Sequence, residues 1–475
     1  MKVFGVEVSG ITDDTRSVCA GSLFVAIKGA NFDGEAAAAD MLGRGAAAVL
    51  TQRDLGLGEQ QILVPNVRLA YAQAASEFYG RPADKLKLIA VTGTNGKTTV
   101  ATLIKGILEG NGHKCGFIGT TGYDTGDGMR EIPGGLTTPK QDELYRLFAE
   151  MAENRLPYCV MEASSQALEQ FRIAGISFEI GVFTNLTQDH LDWHGTMENY
   201  YQAKKRLFSM CKAALICIDD DWGKRLSREL AEESLPVKTY SIGEVADYYA
   251  VNIKTFSDCV SFWLSDESAQ KTYPVRFNMP GAFNVANSIA AIAATAMLSE
   301  RGLDADNAVA ALENCKGVRG RCEVIYSGEF TVITDYAHTS DALEKILTCI
   351  RSFAQARIIC LFGAAGERDS DKRPLMGKIA AKYADYLVIT SDNPRFENPQ
   401  SIIDNVVAGI GIAVPYSAFV KREEAIAFAL SEAREGDIIL LAGKGHETTQ
   451  VIGALEEPFD ERKIVQEIVR GGVSK

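Results

Sequence analysis

The segment LIAVTGTNGKTTVATLIKGIL, residues 88–108, constrains this chain more than any other. Leu88 to Thr92 is a short continuous apolar run, as a buried strand has, and beyond the glycines the apolar residues recur at helical spacing. Between them lies GTNGKTT, Gly93 to Thr99. Strand, glycine-rich turn and helix in that order make a phosphate loop. Glycines let backbone N–H groups approach phosphate oxygens, and the helix N-terminus adds partial positive charge. Lys97 has the reach for β- and γ-phosphates, and the Thr98 hydroxyl suits Mg²⁺. Gly93, Thr94, Asn95, Gly96, Lys97, Thr98 and Thr99 are therefore the candidate ATP-binding loop. Val91 stands where the general pattern has its first glycine, so this is the shorter variant GxxGKTT. The loop implies a nucleotide without separating a ligase from a switch or a motor.

At 475 residues the chain has room for about three domains. Its 46% hydrophobic and 23% charged residues fit an ordinary globular protein. Lys and Arg number 49 against 62 Asp and Glu, a net charge of -13. That balance argues against nucleic-acid binding, which needs a basic surface. Any anionic ligand must be held by a local cluster of cations. None of the ten cysteines forms a CxxC pair, so neither a zinc nor a redox site is expected. MKVFGVEVSG lacks the apolar stretch of a signal peptide, and no run approaches the ~20 apolar residues of a membrane span. The expectation is a cytoplasmic protein with no membrane contact.

Strand-like and helical patterns alternate along the chain, which indicates βαβ units and largely parallel sheets. The expected fold class is α/β in three parts. Residues 1–86 form a small N-terminal α/β substrate module, 87–318 a central P-loop ATPase-like parallel sheet, and 319–475 a C-terminal Rossmann-like domain. RPADKLK, residues 81–87, reads as a polar linker. Residues 250–280 alternate as a hairpin would, and an Ala-rich helix is expected over about 284–299. In the last part, TVITDYA, ARIICLFGA, DYLVITSD and DIILLAGKG each end in a polar stretch carrying Gly or Pro. Ligands of open α/β sheets bind beyond the carboxyl ends of strands, so four such ends suggest a cleft.

Glu162 ends the strand pattern YCVME, and His190 follows IGVFTN within TNLTQDHLDWHG. The two could converge on Mg²⁺ beside the loop, since Mg²⁺ takes few protein ligands. Lys204, in YYQAKKRLF, reads on its own as part of a charged helix face.

Together these segments resemble the Mur ligases, ATP-dependent amide ligases of peptidoglycan synthesis. The motifs that carry the resemblance run in family order over the whole chain: DDTRSVCAGSLFVAIKG, GTNGKTT, LTTP, MEASSQAL, TNLTQDHLDWHG, YYQAKKRLF, GAFNVANSIAA, GRCE, DYAHTSDAL, ERDSDKRPLM, SDNPR and GKGHE. The nearest subgroup adds the third amino acid to UDP-N-acetylmuramoyl-L-alanyl-D-glutamate. The resemblance implies that ATP phosphorylates the D-glutamyl carboxylate and that an amine then displaces phosphate. It implies Mg²⁺ held by Thr98, Glu162, His190 and Lys204, with Lys204 carbamylated. It places Asn284 against adenine, and Arg321, Asp335 and His338 on the nucleotide from the third domain. Thr137, Thr138, Ser164, Gln170 and Arg172 would bind the UDP-muramoyl peptide, with Thr15 and Arg16 at its uridine end. Arg368, Asp392, Asn393, Pro394, Arg395, Gly443 and Glu447 would bind the incoming amino acid. DNPR looks like the meso-diaminopimelate version of its motif, because Arg395 can grip a second carboxylate bidentately. The partners implied are small molecules (ATP, UDP-N-acetylmuramoyl dipeptide, meso-diaminopimelate), acted on by a monomer.

Gln166, Thr15, Glu35, Arg319, Ser340 and Glu367 depart from the family pattern. Of these, Glu35 would set a carboxylate near a diphosphate and repel it. Three rival readings remain: a lysine-adding ligase of the same type, a paralogue with another acyl acceptor such as a folylpolyglutamate-synthetase-like enzyme, and a nucleotide-dependent scaffold that has lost ligation.

Overall fold

The computed structural model describes residues 1–471 except 30, 31, 133, 134, 257, 301, 316 and 413. Its first sheet has four parallel strands in chain order, Gly10–Thr12, Ser22–Val25, Ala48–Thr51 and Gln61–Leu63. Alternate residues of these strands face opposite sides. Leu23, Val25, Ala48 and Leu50 pack on the helix Val67–Phe78, while Phe24 and Val49 meet the helix Gly34–Gly43.

The expected linker is not a free connection. Pro82–Lys85 forms a short 3₁₀ turn, entered through Arg81 in the left-handed region (φ 52°), and Pro82, Ala83 and Leu86 are buried. Ala83 and Leu86 pack against the core beneath the helix Gln141–Glu153. The polar letters of RPADKLK hid three residues with apolar area to bury.

The central sheet has eleven strands. Seven adjacent ones are parallel, in line with the expected largely parallel sheet, and both edges carry antiparallel strands. At one edge the expected hairpin is a three-stranded meander of Tyr248–Thr255, Val260–Asp266 and Lys271–Phe277. Antiparallel strands can leave one face wet, and exposed Trp263 alternates there with buried Phe262 and Leu264. The strand Lys87–Thr92 lies inside the parallel part, between Tyr158–Glu162 and Phe178–Phe183. The chain builds outward to one side of it and then to the other, so a crevice opens at its carboxyl end. The helix Lys97–Gly110 leaves that crevice and packs on the Ala-rich helix Ala282–Met297, whose small side chains allow close approach.

The last sheet has six strands, parallel except for its edge strand Glu323–Ser327. Its centre, Ile438–Ala442, lies between Thr331–Asp335 and Ile358–Phe362 and is wholly apolar. Leu440 there has no exposed surface. Leu440→Ala is expected to cost about 3 kcal/mol, the usual range for such truncations, read as a lower denaturant midpoint.

Candidate active site

The carboxyl ends of three neighbouring parallel strands bring Lys97, Glu162 and His190 to one crevice, with Glu162 registered against Val91 and Phe183 against Thr92. The loop turns at Gly93 (φ 146°), where a Cβ would lie 1.9 Å from Thr184 Oγ1. Thr184 Oγ1 in turn donates to the Asn95 carbonyl at 2.6 Å, and Asn185 Oδ1 accepts from the Asn95 N–H at 3.0 Å. The TNLTQDH segment therefore holds the phosphate loop as well as presenting His190.

Lys97 Nζ donates to the carbonyls of Gly93 (3.0 Å) and Thr94 (2.8 Å). Burial pulls its pKa down against the nearby carboxylates of Glu162 and Asp189. Lys204, on the helix Met197–Lys205, is buried where Lys97 is only half-buried, with Nζ 2.8 Å from the Gly93 carbonyl and 4.5 Å from the Tyr200 ring centre. Burial, and then the like charge of Lys97, holds its pKa well below the usual lysine range. The reading of YYQAKKRLF as a charged surface face fails at this residue. Lys205, one position on, faces outward to Glu229 and Glu233. Glu162 is completely buried, and its carboxylate accepts from the Thr120 N–H (2.8 Å) and hydroxyl (3.0 Å). His190 sits in the left-handed region (φ 52°). Burial, helped by Lys97 and Lys204 and opposed by Asp189, lowers its pKa to about 4.

These groups line a cavity of about 490 Å³ whose other wall is the third domain. From there Arg321 donates to Thr98 Oγ1 at 3.0 Å and lies over the Tyr336 ring at 4.6 Å. Asp335 accepts from the N–H groups of Cys322 and Ala337, its pKa raised by burial in spite of Arg321. Asp341 spans the domains, accepting from Asn95 Nδ2 (2.8 Å) and Thr187 Oγ1 (3.2 Å).

Asn284 does not reach this cavity. It is fully buried, donating to the Pro280 carbonyl at 2.7 Å and accepting from Asn287 at 3.0 Å. Asn287, one helical turn on, lines the cavity instead. Both lie in GAFNVAN, and the i,i+3 spacing on one helix face was the available signal.

A second cavity of about 500 Å³ adjoins the first. Thr137, Ser164, Asp189, His190, Tyr336 and His338 border both. One wall carries Gln170 and Arg172, and the wall opposite carries Arg368, Asp392, Asn393, Arg395, Gly443 and Glu447. Arg172 donates only to neutral acceptors, Gln170 Oε1 (2.8 Å) and the Thr138 carbonyl (2.7 Å). Burial, and then Arg68's like charge, lowers its pKa. Arg395 (φ 51°) donates to the Gly366 carbonyl at 2.7 Å. Among the described residues neither arginine has a carboxylate partner, so both can take an anion.

Besides Asn284, five of the expected residues line neither cavity: Gly93, whose carbonyl accepts from Lys97 and Lys204, and Thr138, Pro394, Thr15 and Arg16. Thr138 is buried, its hydroxyl donating to the Glu162 carbonyl at 2.8 Å, so it braces that strand end. Pro394 lies in the backbone turn between Asn393 and Arg395. Thr15 and Arg16 are on the exposed N-terminal module, where Arg16 folds onto Asp14 at 2.7 Å. The repulsion expected of Glu35 has a local answer. Its carboxylate is buried, paired with the Arg53 guanidinium, and accepts the N–H groups of Gln52 and Arg53 at 3.2 Å.

The residues present fit Mg²⁺. The Glu162 carboxylate and Thr98 hydroxyl are hard oxygen donors in one cavity. Among the described residues no three His, Cys, Asp or Glu side chains are grouped to cage a metal. That suits an ion completed by phosphate and water. No helix is long and apolar enough to cross a membrane among the described residues.

Three family models match successive parts of the chain. Residues 7–79 match the Mur ligase family catalytic domain, 91–295 the Mur ligase middle domain and 320–445 the Mur ligase glutamate ligase domain. The chain belongs to the Mur ligase family. This Mur ligase is 42% identical over 477 residues to a Syntrophomonas wolfei protein named UDP-N-acetylmuramoyl-L-alanyl-D-glutamate--2,6-diaminopimelate ligase, with 98% of this chain and 96% of that one covered. A Clostridium acetobutylicum protein of the same name, numbered 1, is 41% identical, with 98% and 95% covered. A solved structure of an enzyme of that name superposes with a TM-score of 0.69 at 33% identity, covering 98% of this chain and 96% of that one. The folylpolyglutamate synthase of Mycobacterium tuberculosis shares the fold at 16% identity and a TM-score of 0.66, covering 80% of this Mur ligase and 93% of that protein.

Proposed function

We propose that this protein joins meso-diaminopimelate to the D-glutamyl carboxylate of UDP-N-acetylmuramoyl-L-alanyl-D-glutamate, converting ATP to ADP and phosphate. One observation carries the reading: the phosphate-loop cavity opens into a second cavity bordered by arginines without carboxylate partners. An acyl acceptor can reach the γ-phosphate from that second cavity, and an amine can reach the acyl group. Relatives bearing the diaminopimelate ligase name support the choice of substrate. We take it to work as a cytoplasmic monomer on small molecules.

The reaction needs no enzyme nucleophile. The substrate carboxylate attacks the γ-phosphorus and the bond to ADP breaks, leaving an acyl phosphate. The amine nitrogen attacks the acyl carbon and loses a proton, and phosphate departs with the C–O bonding pair. The protein's work is positioning and charge neutralisation. Lys97 exchanges the Gly93 and Thr94 carbonyls for phosphate oxygens, with Arg321 flanking from the third domain. His338 Nδ1 lies 2.9 Å from the Tyr336 carbonyl and so carries the proton. Its pKa is lowered by burial, so Nε2 is an acceptor at the junction of the cavities. Thr98, Glu162 and His190 would hold Mg²⁺, which supplies further neutralisation of the phosphate charge. Arg172 fixes the acyl substrate, and Arg395 the distal carboxylate of the amino acid.

The test is phosphate release from ATP with the UDP-dipeptide and either meso-diaminopimelate, L-lysine or no amine, with products identified by mass. Release and the tripeptide mass with diaminopimelate alone are expected. Activity with lysine instead overturns the specificity, and silence with both amines overturns the reading. Arg395→Ala is expected to lower kcat/KM for diaminopimelate by about tenfold to a hundredfold, as losing a charged hydrogen-bond pair does. Its KM for ATP stays unchanged.

A further inference from the structure

Asn393 and Glu447 border the amino-acid side of the second cavity, and behind them lies a lysine that neither cavity touches. Lys444 has no exposed side-chain surface. Its three N–H donors meet three acceptors: Asn393 Oδ1 at 2.7 Å, Glu447 Oε2 at 2.9 Å and the Thr449 carbonyl at 2.8 Å. Asp392 Oδ1 stands 4.0 Å away. A buried ammonium so fully engaged has no donor left for a substrate.

The contacts decide how its neighbours face. Asn393 Oδ1 accepts from both Lys444 and the Val451 N–H (2.9 Å). Only the Nδ2 end of the amide is left to turn outward, and it donates to Glu447 Oε2 at 3.0 Å. Glu447 Oε2 is thus taken by two donors, leaving Oε1 for an incoming ammonium. Lys444 also offsets the adjacent carboxylates of Asp392 and Glu447, which would otherwise repel an amino acid bearing two carboxylates.

We propose that Lys444 is the positioning residue of the amino-acid subsite, fixing the outward face of Asn393 and the free oxygen of Glu447 without touching the substrate. The inference rests on the ligase reading above. With Lys444 removed, the Asn393 amide can turn over and Glu447 can swing, so the two contacts no longer arrive together.

The experiment is steady-state kinetics of Lys444→Met and the milder Lys444→Gln, which keeps a donor, beside the wild-type full chain. The KM for diaminopimelate is expected to rise about tenfold to a hundredfold in the Met variant and less in the Gln variant, the scale of a misplaced contact. The KM values for ATP and the UDP-dipeptide stay within about twofold, because those contacts are elsewhere. The preference for diaminopimelate over lysine should shrink as well. Equal loss on all three substrates, or no change in the amino-acid KM, overturns the proposal. A structure of the wild-type protein with diaminopimelate tests it without any variant. The amino acid's ammonium should sit on Glu447 Oε1 while Lys444 keeps Oε2 and Asn393 Oδ1; Lys444 turned onto the ligand overturns it. Wild-type protein inactive with every amine overturns the ligase reading instead, and the two failures are told apart by that control.

Discussion

Lys97→Ala is expected to lower the rate of phosphate release at saturating substrates by about a thousandfold or more, the scale seen when a cation is taken from developing phosphoryl charge. The loss should fall on kcat, because Lys97 is most needed where charge accumulates between ADP and the acyl group. The fold should not suffer. Lys97 is half-buried with the like charge of Arg321 near it, so its removal relieves repulsion as well as losing two hydrogen bonds to loop carbonyls. An unchanged melting temperature with the rate gone supports the assignment. A rate within tenfold of wild type overturns it, and so does a large fall in melting temperature that accounts for the loss.

The second large effect is expected at Lys204. Its pKa is lowered by burial and by Lys97, which favours the free amine, the form whose lone pair can add to CO₂. The nitrogen bonds to carbon and releases one proton, and the neutral amine becomes an anionic carbamate in the cavity that Glu162 and the phosphate loop also line. Removing CO₂ should therefore depress activity, bicarbonate should restore it, and ¹³C-bicarbonate should give a carbamate resonance that Lys204→Ala lacks. Lys204→Ala is expected to lose about a thousandfold in rate, with partial recovery on adding a short carboxylic acid. The pH dependence has a definite sign. The folded pKa lies below the unfolded value, so between them the unfolded chain binds more protons and this group's contribution to stability is lost as pH falls. Protonation of the amine also blocks the carbamate, so activity falls with pH in the same direction. Full activity in CO₂-free buffer with no ¹³C signal overturns the assignment.

Short-range order was the legible part of this chain. Apolar runs such as LIAVT and IICLF announce buried strands because a strand covered on both faces needs apolar residues throughout. The spacing of Gly93, Gly96, Lys97 and Thr98 announces a phosphate loop because the turn at the two glycines leaves no room for a Cβ, and a lysine and a hydroxyl at the helix start suit phosphate and Mg²⁺. The family signature adds order along the whole chain. Less legible was anything that depends on which way one residue of a motif points. GAFNVAN offers two asparagines, and helix packing turned Asn287 to the cavity and Asn284 into the core. YYQAKKRLF offers two lysines, and a rotation of one residue put Lys204 against the Gly93 carbonyl and Lys205 in solvent contact with acids. Glu35 looked like a stray carboxylate until Arg53, distant in sequence, closed on it.

The sequence alone determined the class of chemistry and the order of the parts: a phosphate loop, a strand-end carboxylate and histidine, then four polar strand ends in a second α/β sheet. These are local properties, set by residue type and spacing along one strand or turn. Only the tertiary structure decided that the two sets of strand ends face each other across adjoining cavities, and which side chains line them. It also decided that a buried lysine stands behind the amino-acid contacts. These depend on burial and on contacts between residues more than two hundred positions apart, such as Arg321 with Thr98 or Asn95 with Asp341. Desolvation, which lowers the pKa of Lys204, exists only once its helix has packed against the phosphate loop.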